Sequence, residues 1–251
     1  IEYYERYSKI FRDVPPTESP IDAVWDTSFG GKHLKVPLRS ESLWLDWDYA
    51  VALAGHDADV KSGYLAFLQQ LRPPQLFVDI GSNYGTHSLI FQKHGVPTLG
   101  FEPIKECIDY YQTIADLNGV APRVENCALG LTEATLELSY PEREVWLATA
   151  STTLLSKPTT SKIVKRTVPL TTLDRVLANV SQDRILVKID TEGHELDVLR
   201  GGSDFIRRAK PYIYFECLDA SALSPVSALF RSIDYQVIPA RLTPFASSVS
   251  P

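Results

Sequence analysis

The chain has 251 residues, with 31 acidic against 25 basic side chains and a formal net charge of −6. At 44% apolar and 22% charged residues it reads as a soluble globular protein, one large domain or a domain with an extension, and not as a collagen-like, low-complexity or disordered chain. No apolar stretch approaches the roughly 18 residues that cross a bilayer, so no membrane span is predicted. An acidic chain also lacks the positive field that captures nucleic acid, so no nucleic-acid partner is expected.

Residues 1–20 are polar, dotted with aromatic residues, and end in Val14-Pro15-Pro16 and Ser19-Pro20. They predict an arm, or a helix that packs elsewhere. Residues 21–49 predict short strands around a turn at Gly30-Gly31, with Leu34, Val36 and Leu38 alternating. Residues 58–71 predict a helix with Val60, Tyr64, Phe67, Leu68 and Leu71 on one face, stopped by Pro73-Pro74. That proline pair divides an N-terminal extension, 1–74, from a main domain, 75–251. The aromatic residues Trp25, Trp44, Trp47 and Tyr49 read as core, as a contact in a homo-oligomer, or as a wall for a sugar-like acceptor.

From Gln75 onward, short apolar runs alternate with amphipathic stretches. The runs are Leu76–Ile80, Thr98–Phe101, Val124–Ala128, Ile185–Ile189 and Tyr212–Phe215. This pattern predicts an α/β fold, a central, mostly parallel sheet of buried strands flanked by crossover helices. An insertion at about 131–175 predicts a hairpin whose Ser/Thr-rich tip, Thr149–Lys162, is either a lid or a plain surface loop. Lys162, Lys165 and Arg166 read as a solvated strand face. Cys107, Cys127 and Cys217 are far apart and frame neither a zinc site nor disulfides, so no metal is expected and a reducing compartment, the cytoplasm, is.

The strongest local signal is Asp79-Ile80-Gly81-Ser82-Asn83-Tyr84-Gly85, an apolar strand running into a turn that opens a helix. Gly81 and Gly85 let backbone approach a ligand, Asn83 tolerates a left-handed conformation, and free N–H groups at the helix start are expected to face the turn. The next strand ends in Glu102-Pro103, where an acid at the neighbouring strand tip can accept from two ribose hydroxyls. The loop lacks G-x-G-x-x-G, and Asp79 would repel a pyrophosphate. S-adenosyl-L-methionine, with a ribose, an ammonium and a sulfonium, suits these two acids better than a dinucleotide does. A later buried run ends in Lys188-Ile189-Asp190-Thr191-Glu192-Gly193-His194-Glu195, which puts Asp190, Glu192, His194 and Glu195 at the carboxyl end of a central strand, the ligand-binding edge of open α/β sheets.

With these motifs, and with Asn126-Cys127-Ala128-Leu129-Gly130, Val168–Asp174, Val198–Gly202 and a strand ending in Phe215-Glu216, the sequence resembles the FkbM family of S-adenosylmethionine-dependent methyltransferases over about residues 60–240. The resemblance implies a Rossmann-like class I methyltransferase fold and O-methylation of a sugar, glycolipid or polyketide-type acceptor. By that analogy Asp79 and Gly81, Ser82, Asn83 and Gly85 hold the methionine end of the cofactor, Glu102 and Pro103 the ribose, and Cys127-Ala128 the adenine edge. Asp190 lies near the methyl group, and Glu192, His194 or Glu216 takes the acceptor's proton, with His194 favoured because its ordinary pKa of about 6.5 suits a base near neutrality. The alternatives are an N-methyltransferase acting on nucleic acid or protein, and a module that binds the cofactor without catalysis.

Overall fold

The computed structural model describes residues 3–12, 22–69, 72–142, 148–150, 162–217 and 220–238. A short helix, α1 (Tyr3–Tyr7), precedes an antiparallel hairpin of β1 (Asp22–Phe29) and β2 (Lys32–Arg39). Gly30 and Gly31 both take positive φ, 56° and 79°, as the two-residue turn at this place requires.

The expectation of strands fails beyond the hairpin. Residues 43–49 belong to a helix, α2 (Leu43–Gly55), whose buried side chains include Asp46, Tyr49, Ala50 and Leu53, spaced at the helical repeat. An acid within the buried set hides that period from a hydrophobicity reading. Asp46 accepts from the Arg39 backbone N–H at 2.8 Å, from Arg39 Nε and Nη2 at 3.0 and 2.6 Å, from Ser42 Oγ at 3.0 Å and from the Tyr110 hydroxyl at 2.9 Å. Burial is tolerated because its acceptor capacity is filled. Helix α3 (Ala58–Leu68) follows as expected, and Leu71 lies outside the described residues.

The main sheet begins at β3 (Leu76–Ile80), followed by α4 (Thr86–Lys93), β4 (Thr98–Phe101), α5 (Lys105–Asn118) and β5 (Val124–Glu125). Beyond it come β6 (Ala128–Leu129), β7 (Ala134–Pro141), β8 (Ile163–Thr171), α6 (Leu173–Val176) and β9 (Ile185–Ile189). The chain continues through α7 (Glu195–Arg200), α8 (Ser203–Ala209), β10 (Tyr212–Phe215) and α9 (Ala220–Arg231). Five parallel strands run in the order β10-β9-β3-β4-β5, a doubly wound, Rossmann-like arrangement. Strands β3, β4, β9 and β10 occupy the bounds that their apolar runs predict. The run Val124–Ala128 does not form one strand. A turn closed by Cys127 N–H to Glu125 O at 3.0 Å, with the Asn126 amide donating to the carbonyls of Glu102 and Pro103 at 2.9 and 3.0 Å, diverts the chain. β5 therefore stays in the main sheet, while β6 joins a second, three-stranded sheet in the order β6-β8-β7.

Strands β7 and β8 form the hairpin expected of the insertion. Most of its Ser/Thr-rich tip, 151–161, lies outside the described residues. Lys162 and Lys165 pair with Glu142 and Glu137, and Arg166 pairs with Glu106, which makes this a compensated strand face. The N-terminal hairpin and α2 pack on the helical layer of the main sheet: Leu34, Val36, Tyr49 and Leu53 share one apolar cluster with Leu89 and Ile90 of α4 and Tyr111 and Ile114 of α5. Among the described residues no helix is long and apolar enough to cross a membrane.

The register decides where the site lies. Ile80 is opposite both Phe101 and Ile189, and Phe215 is opposite Ile189. The residues that follow, Gly81, Glu102, Asp190 and Glu216, therefore leave the sheet along one carboxyl edge. The chain order reverses between β3 and β9, so the crevice for a ligand opens there.

Candidate functional site

The turn after β3 is built on close approach. Gly81 has φ 71°, and a Cβ on it would stand 1.8 Å from the carbonyl oxygen of Asp190. Gly85 has φ 74°, and a Cβ there would meet the Tyr111 ring at 2.4 Å. Asn83 is also left-handed, φ 50°. The turn's own N–H groups are mostly engaged. Those of Gly81 and Ser82 donate to Phe101 O at 3.0 and 3.1 Å, that of Gly85 to Ser82 O at 2.8 Å, and that of Asn83 to Glu102 Oε2 at 2.8 Å. The end of β4 thus takes two of these donors, Glu102 just past it a third, and the turn itself the fourth. Glu102 Oε1 accepts from Ile104 N–H at 2.8 Å, so this carboxyl ties the two strand tips together. Burial pushes it up to about 7, against the pull of those N–H groups and Lys188.

Above this edge lies a cavity of about 90 Å³. The sheet edge contributes the polar side chains of Asn83, Glu102, Asp190, Thr191, Glu192 and His194, with Gly81 and Pro103 among them. The other side is apolar: Ala128, Leu129, Leu136, Leu138 and Ala148, from β6, β7 and the insertion. The structure thus brings Glu102, Asp190, Glu192 and His194 onto one cavity.

The loop after β9 is held from within and from above. Glu192 is left-handed, φ 51°, and Gly193 has φ 100°. Glu195 Oε1 clasps the loop, accepting from Thr191 N–H at 2.9 Å, Thr191 Oγ1 at 3.0 Å and Gly193 N–H at 3.2 Å. From the insertion, Thr149 Oγ1 donates to Glu192 O at 2.9 Å. His194 opens α7, its carbonyl accepting from the N–H groups of Asp197 and Val198.

Residues 79–236 match the methyltransferase FkbM domain. The chain belongs to this family. The turn, Glu102, the Asp190–Glu195 loop and Glu216 all fall inside the matched FkbM domain, whereas the N-terminal hairpin, α2 and α3 precede it. Among solved structures, the chain is similar to the ribosomal protein L11 methylase of Lactobacillus delbrueckii subsp. bulgaricus, at 13% identity over 73% of this chain and 71% of that one, with a TM-score of 0.36. No curated protein matches the chain.

Five sequence-predicted residues of the FkbM domain stand off the cavity wall. Asp79 is fully buried beneath the turn; Ser88 Oγ donates to its Oδ2 at 2.6 Å, and Lys188 Nζ lies 4.0 Å from its Oδ1. Burial raises its carboxyl, opposed by Lys188 and Ser88. Ser82 is buried below the turn, Gly85 packs on Tyr111, and Cys127 is half-buried with its thiol pushed up to about 11 by burial. Glu216 follows β10, donating its N–H to Ile189 O at 2.9 Å, which continues the register and sets it next to Asp190. Burial of its carboxyl, together with the Asp190 and Glu192 carboxylates, pushes it up to about 8. Tyr49 is core and Trp47 donates from Nε1 to Tyr7 O at 2.8 Å; neither Trp25 nor Trp44 lines this cavity either. Sequence reasoning misses Leu129, Leu136, Leu138, Ala148 and Thr191 on the wall. The Leu136/Leu138 alternation announces a strand, but nothing local says which cavity its inner face meets.

Proposed function

We propose that this FkbM-family chain is an S-adenosylmethionine-dependent O-methyltransferase whose acceptor is a hydroxyl of a sugar, glycolipid or polyketide-type small molecule. The observation that carries the reading is the two-sided cavity at the switch point, with one polar wall bearing Glu102 and Asp190 and one apolar wall.

The residues present fit the cofactor. Each Glu102 oxygen accepts one backbone N–H and keeps a further lone pair for a ribose hydroxyl. Ser82 Oγ and Asn83 Oδ1 are buried without a hydrogen-bond partner, and Gly81 and Asn83 line the cavity. Glu102 and Pro103 would hold the ribose; Gly81, Ser82, Asn83 and Gly85, with Asp79 behind them, the methionine end; and Cys127-Ala128, with Leu129, the adenine. When bound, S-adenosylmethionine supplies an electrophilic methyl group, and its sulfur keeps the bonding pair as a neutral thioether.

The chain's own residues orient the acceptor and take its proton. A neutral alcohol is a poor nucleophile, and a positioned base is worth a large rate factor. Asp190 and His194 face the cavity, with Glu192 beside them and Glu216 behind Asp190. The acidic rim, and the pairing of the hairpin's basic side chains with acids, favour a polyhydroxyl acceptor over nucleic acid. The wide spacing of Cys107, Cys127 and Cys217 along the chain supports action in a reducing compartment such as the cytoplasm.

Calorimetry with S-adenosylhomocysteine tests the cofactor: binding is expected, weakened about tenfold or more by Glu102→Ala, and no binding by the wild type overturns the reading. Labelled methyl donor, offered with glycan, lipid and small-molecule fractions, tests the acceptor. Label entering nucleic acid or protein instead defeats O-methylation of a small acceptor.

A further inference from the structure

The motif Asn126-Cys127-Ala128-Leu129-Gly130 contains a residue to which the chemistry above gives no part. Cys127, Ala128 and Leu129 would hold the adenine, whereas Asn126 does not line the cavity. It stands where the two sheets part: β5 leaves the main sheet at Glu125, and β6 opens the second sheet at Ala128. The tip of β4, with Glu102 and Pro103, lies on one side of this bend, and the apolar wall begins on the other.

The tip of β4 runs out of backbone partners at this place. Its register with β5 stops at Phe101 opposite Glu125, followed by one last bond from Glu102 N–H to Glu125 O at 3.1 Å. Pro103 comes next and, having no N–H, cannot prolong the ladder. The carbonyls of Glu102 and Pro103 therefore lie beyond it and need donors from elsewhere. The Asn126 amide serves both: Nδ2 donates to Glu102 O at 2.9 Å and to Pro103 O at 3.0 Å. An amide nitrogen has two hydrogens, and each here has one carbonyl. Asn126 is itself tied down, because Cys127 N–H donates to Glu125 O at 3.0 Å and closes the bend around it.

These bonds fix the backbone from which Glu102 reaches the cavity. Glu102 is 6% exposed. Its Oε2 accepts from Asn83 N–H and its Oε1 from Ile104 N–H, both at 2.8 Å. Bonds of this length and direction tolerate little drift, and a rotation of the Glu102–Pro103 peptide would carry the carboxyl off both donors. A hold on two consecutive carbonyls opposes that rotation, where a hold on one would leave it free.

We propose that Asn126 is a positioning residue for the nucleoside end of the cofactor: by clamping the carbonyls of Glu102 and Pro103 it keeps the Glu102 carboxyl on its two N–H donors and in place for the ribose hydroxyls. Asn126 acts through Glu102 and does not touch the ligand. The ribose contact rests on the methyltransferase reading; the hold on the carboxyl does not.

Asn126 is exposed, so Asn126→Ala and Asn126→Asp leave the core intact, and thermal melting checks that both variants fold. Aspartate matches asparagine in size and, ionised, has no hydrogen for the two carbonyls. Hydrogen exchange of backbone N–H groups in the full chain, at fixed pH and without ligand, reads the hold. The N–H groups of Asn83 and Ile104 report on the Glu102 carboxyl, and Glu102→Ala gives the scale of their release. In both Asn126 variants these two groups are expected to exchange about tenfold faster or more. Those of Gly81 and Ser82, which donate to Phe101 O, keep the wild-type rate. Unchanged exchange at Asn83 and Ile104, or equal acceleration at all four groups, overturns the proposal.

Calorimetry reads the consequence for binding. The probes are S-adenosylhomocysteine and methylthioadenosine, which has the same ribose and adenine but no amino-acid end. Either Asn126 variant is expected to weaken both by about fivefold. In a Glu102→Ala background, Asn126→Ala should weaken them by less than about twofold further. Unchanged affinity in the single variants, a loss for S-adenosylhomocysteine alone, or the full loss in the Glu102→Ala background overturns the proposal. A wild type that binds neither probe defeats the methyltransferase reading, and the exchange rates then still decide whether Asn126 holds Glu102.

Discussion

The α-carbon of Gly81 and the carbonyl oxygen of Asp190 are so close that a Cβ on Gly81 would fall 1.8 Å from that oxygen. The turn after β3 and the loop after β9 therefore touch through backbone alone, and the cavity floor is continuous across the switch point. Gly81→Ala forces β3 and β9 apart at their tips and also strains a φ of 71°. We expect a loss on the order of 3 kcal/mol or more, with loss of S-adenosylhomocysteine binding. Gly31→Ala is the control: its φ is 79°, but a Cβ meets nothing within 4 Å, so only about 1 kcal/mol should go. Equal melting temperatures for the two variants would refute the close-approach argument.

Glu102 links pH to both stability and binding. Its carboxyl rises from 4.5 unfolded to about 7 in the folded chain, mainly through burial. The folded state thus holds the proton more tightly, and the stability this group contributes is fullest below about 4.5 and falls as pH climbs to about 7. Ribose hydroxyls donate better to the ionised form, so cofactor-product affinity should rise from pH 6 to pH 8. Denaturant melts and calorimetry across that range, repeated on Glu102→Gln, check both trends. A slope that survives in the variant would assign them elsewhere.

Asp46 holds the N-terminal hairpin to α2 and α5. Asp46→Ala leaves the buried Tyr110 hydroxyl and the half-buried Arg39 guanidinium without their acceptor, and about 2–3 kcal/mol should be lost. Asp46 is remote from the cavity wall, so the folded fraction should bind S-adenosylhomocysteine as the wild type does. Unchanged stability in urea would mean that the carboxylate does not join these elements.

Thr149 links the insertion to the loop after β9 through its bond to Glu192 O. Thr149→Val keeps the shape and removes the donor. Turnover should fall several-fold at nearly constant S-adenosylhomocysteine affinity, with a stability change of about 1 kcal/mol. Thr149→Ser should restore turnover. If serine and valine behave alike, the hydroxyl has no part in holding the loop.

Strands β3, β4, β9 and β10 are legible at their ends because an apolar run bounded by polar residues is a local signal, and so is the glycine turn at Gly81. Glu102 and Asp190 are legible as residues of the cavity wall for a related reason: a polar residue just past a buried strand has to emerge at the sheet's carboxyl edge. Helix α2 is not legible, because Asp46 is buried by partners from Arg39, Ser42 and Tyr110 that no window of sequence brings together. The split of Val124–Ala128 is equally hidden, since the Asn126 amide finds its carbonyls at the tip of another strand.

Amino-acid order by itself determined the α/β pattern, the turn chemistry and the family to which residues 79–236 belong. Tertiary structure decided the rest. Sheet register set Lys188 beside Asp79 and Glu216 beside Asp190, and the path of the insertion turned Leu136, Leu138 and Ala148 into a cavity wall. Charge pairing and cavity walls depend on distances between segments remote in sequence, and packing alone fixes those distances.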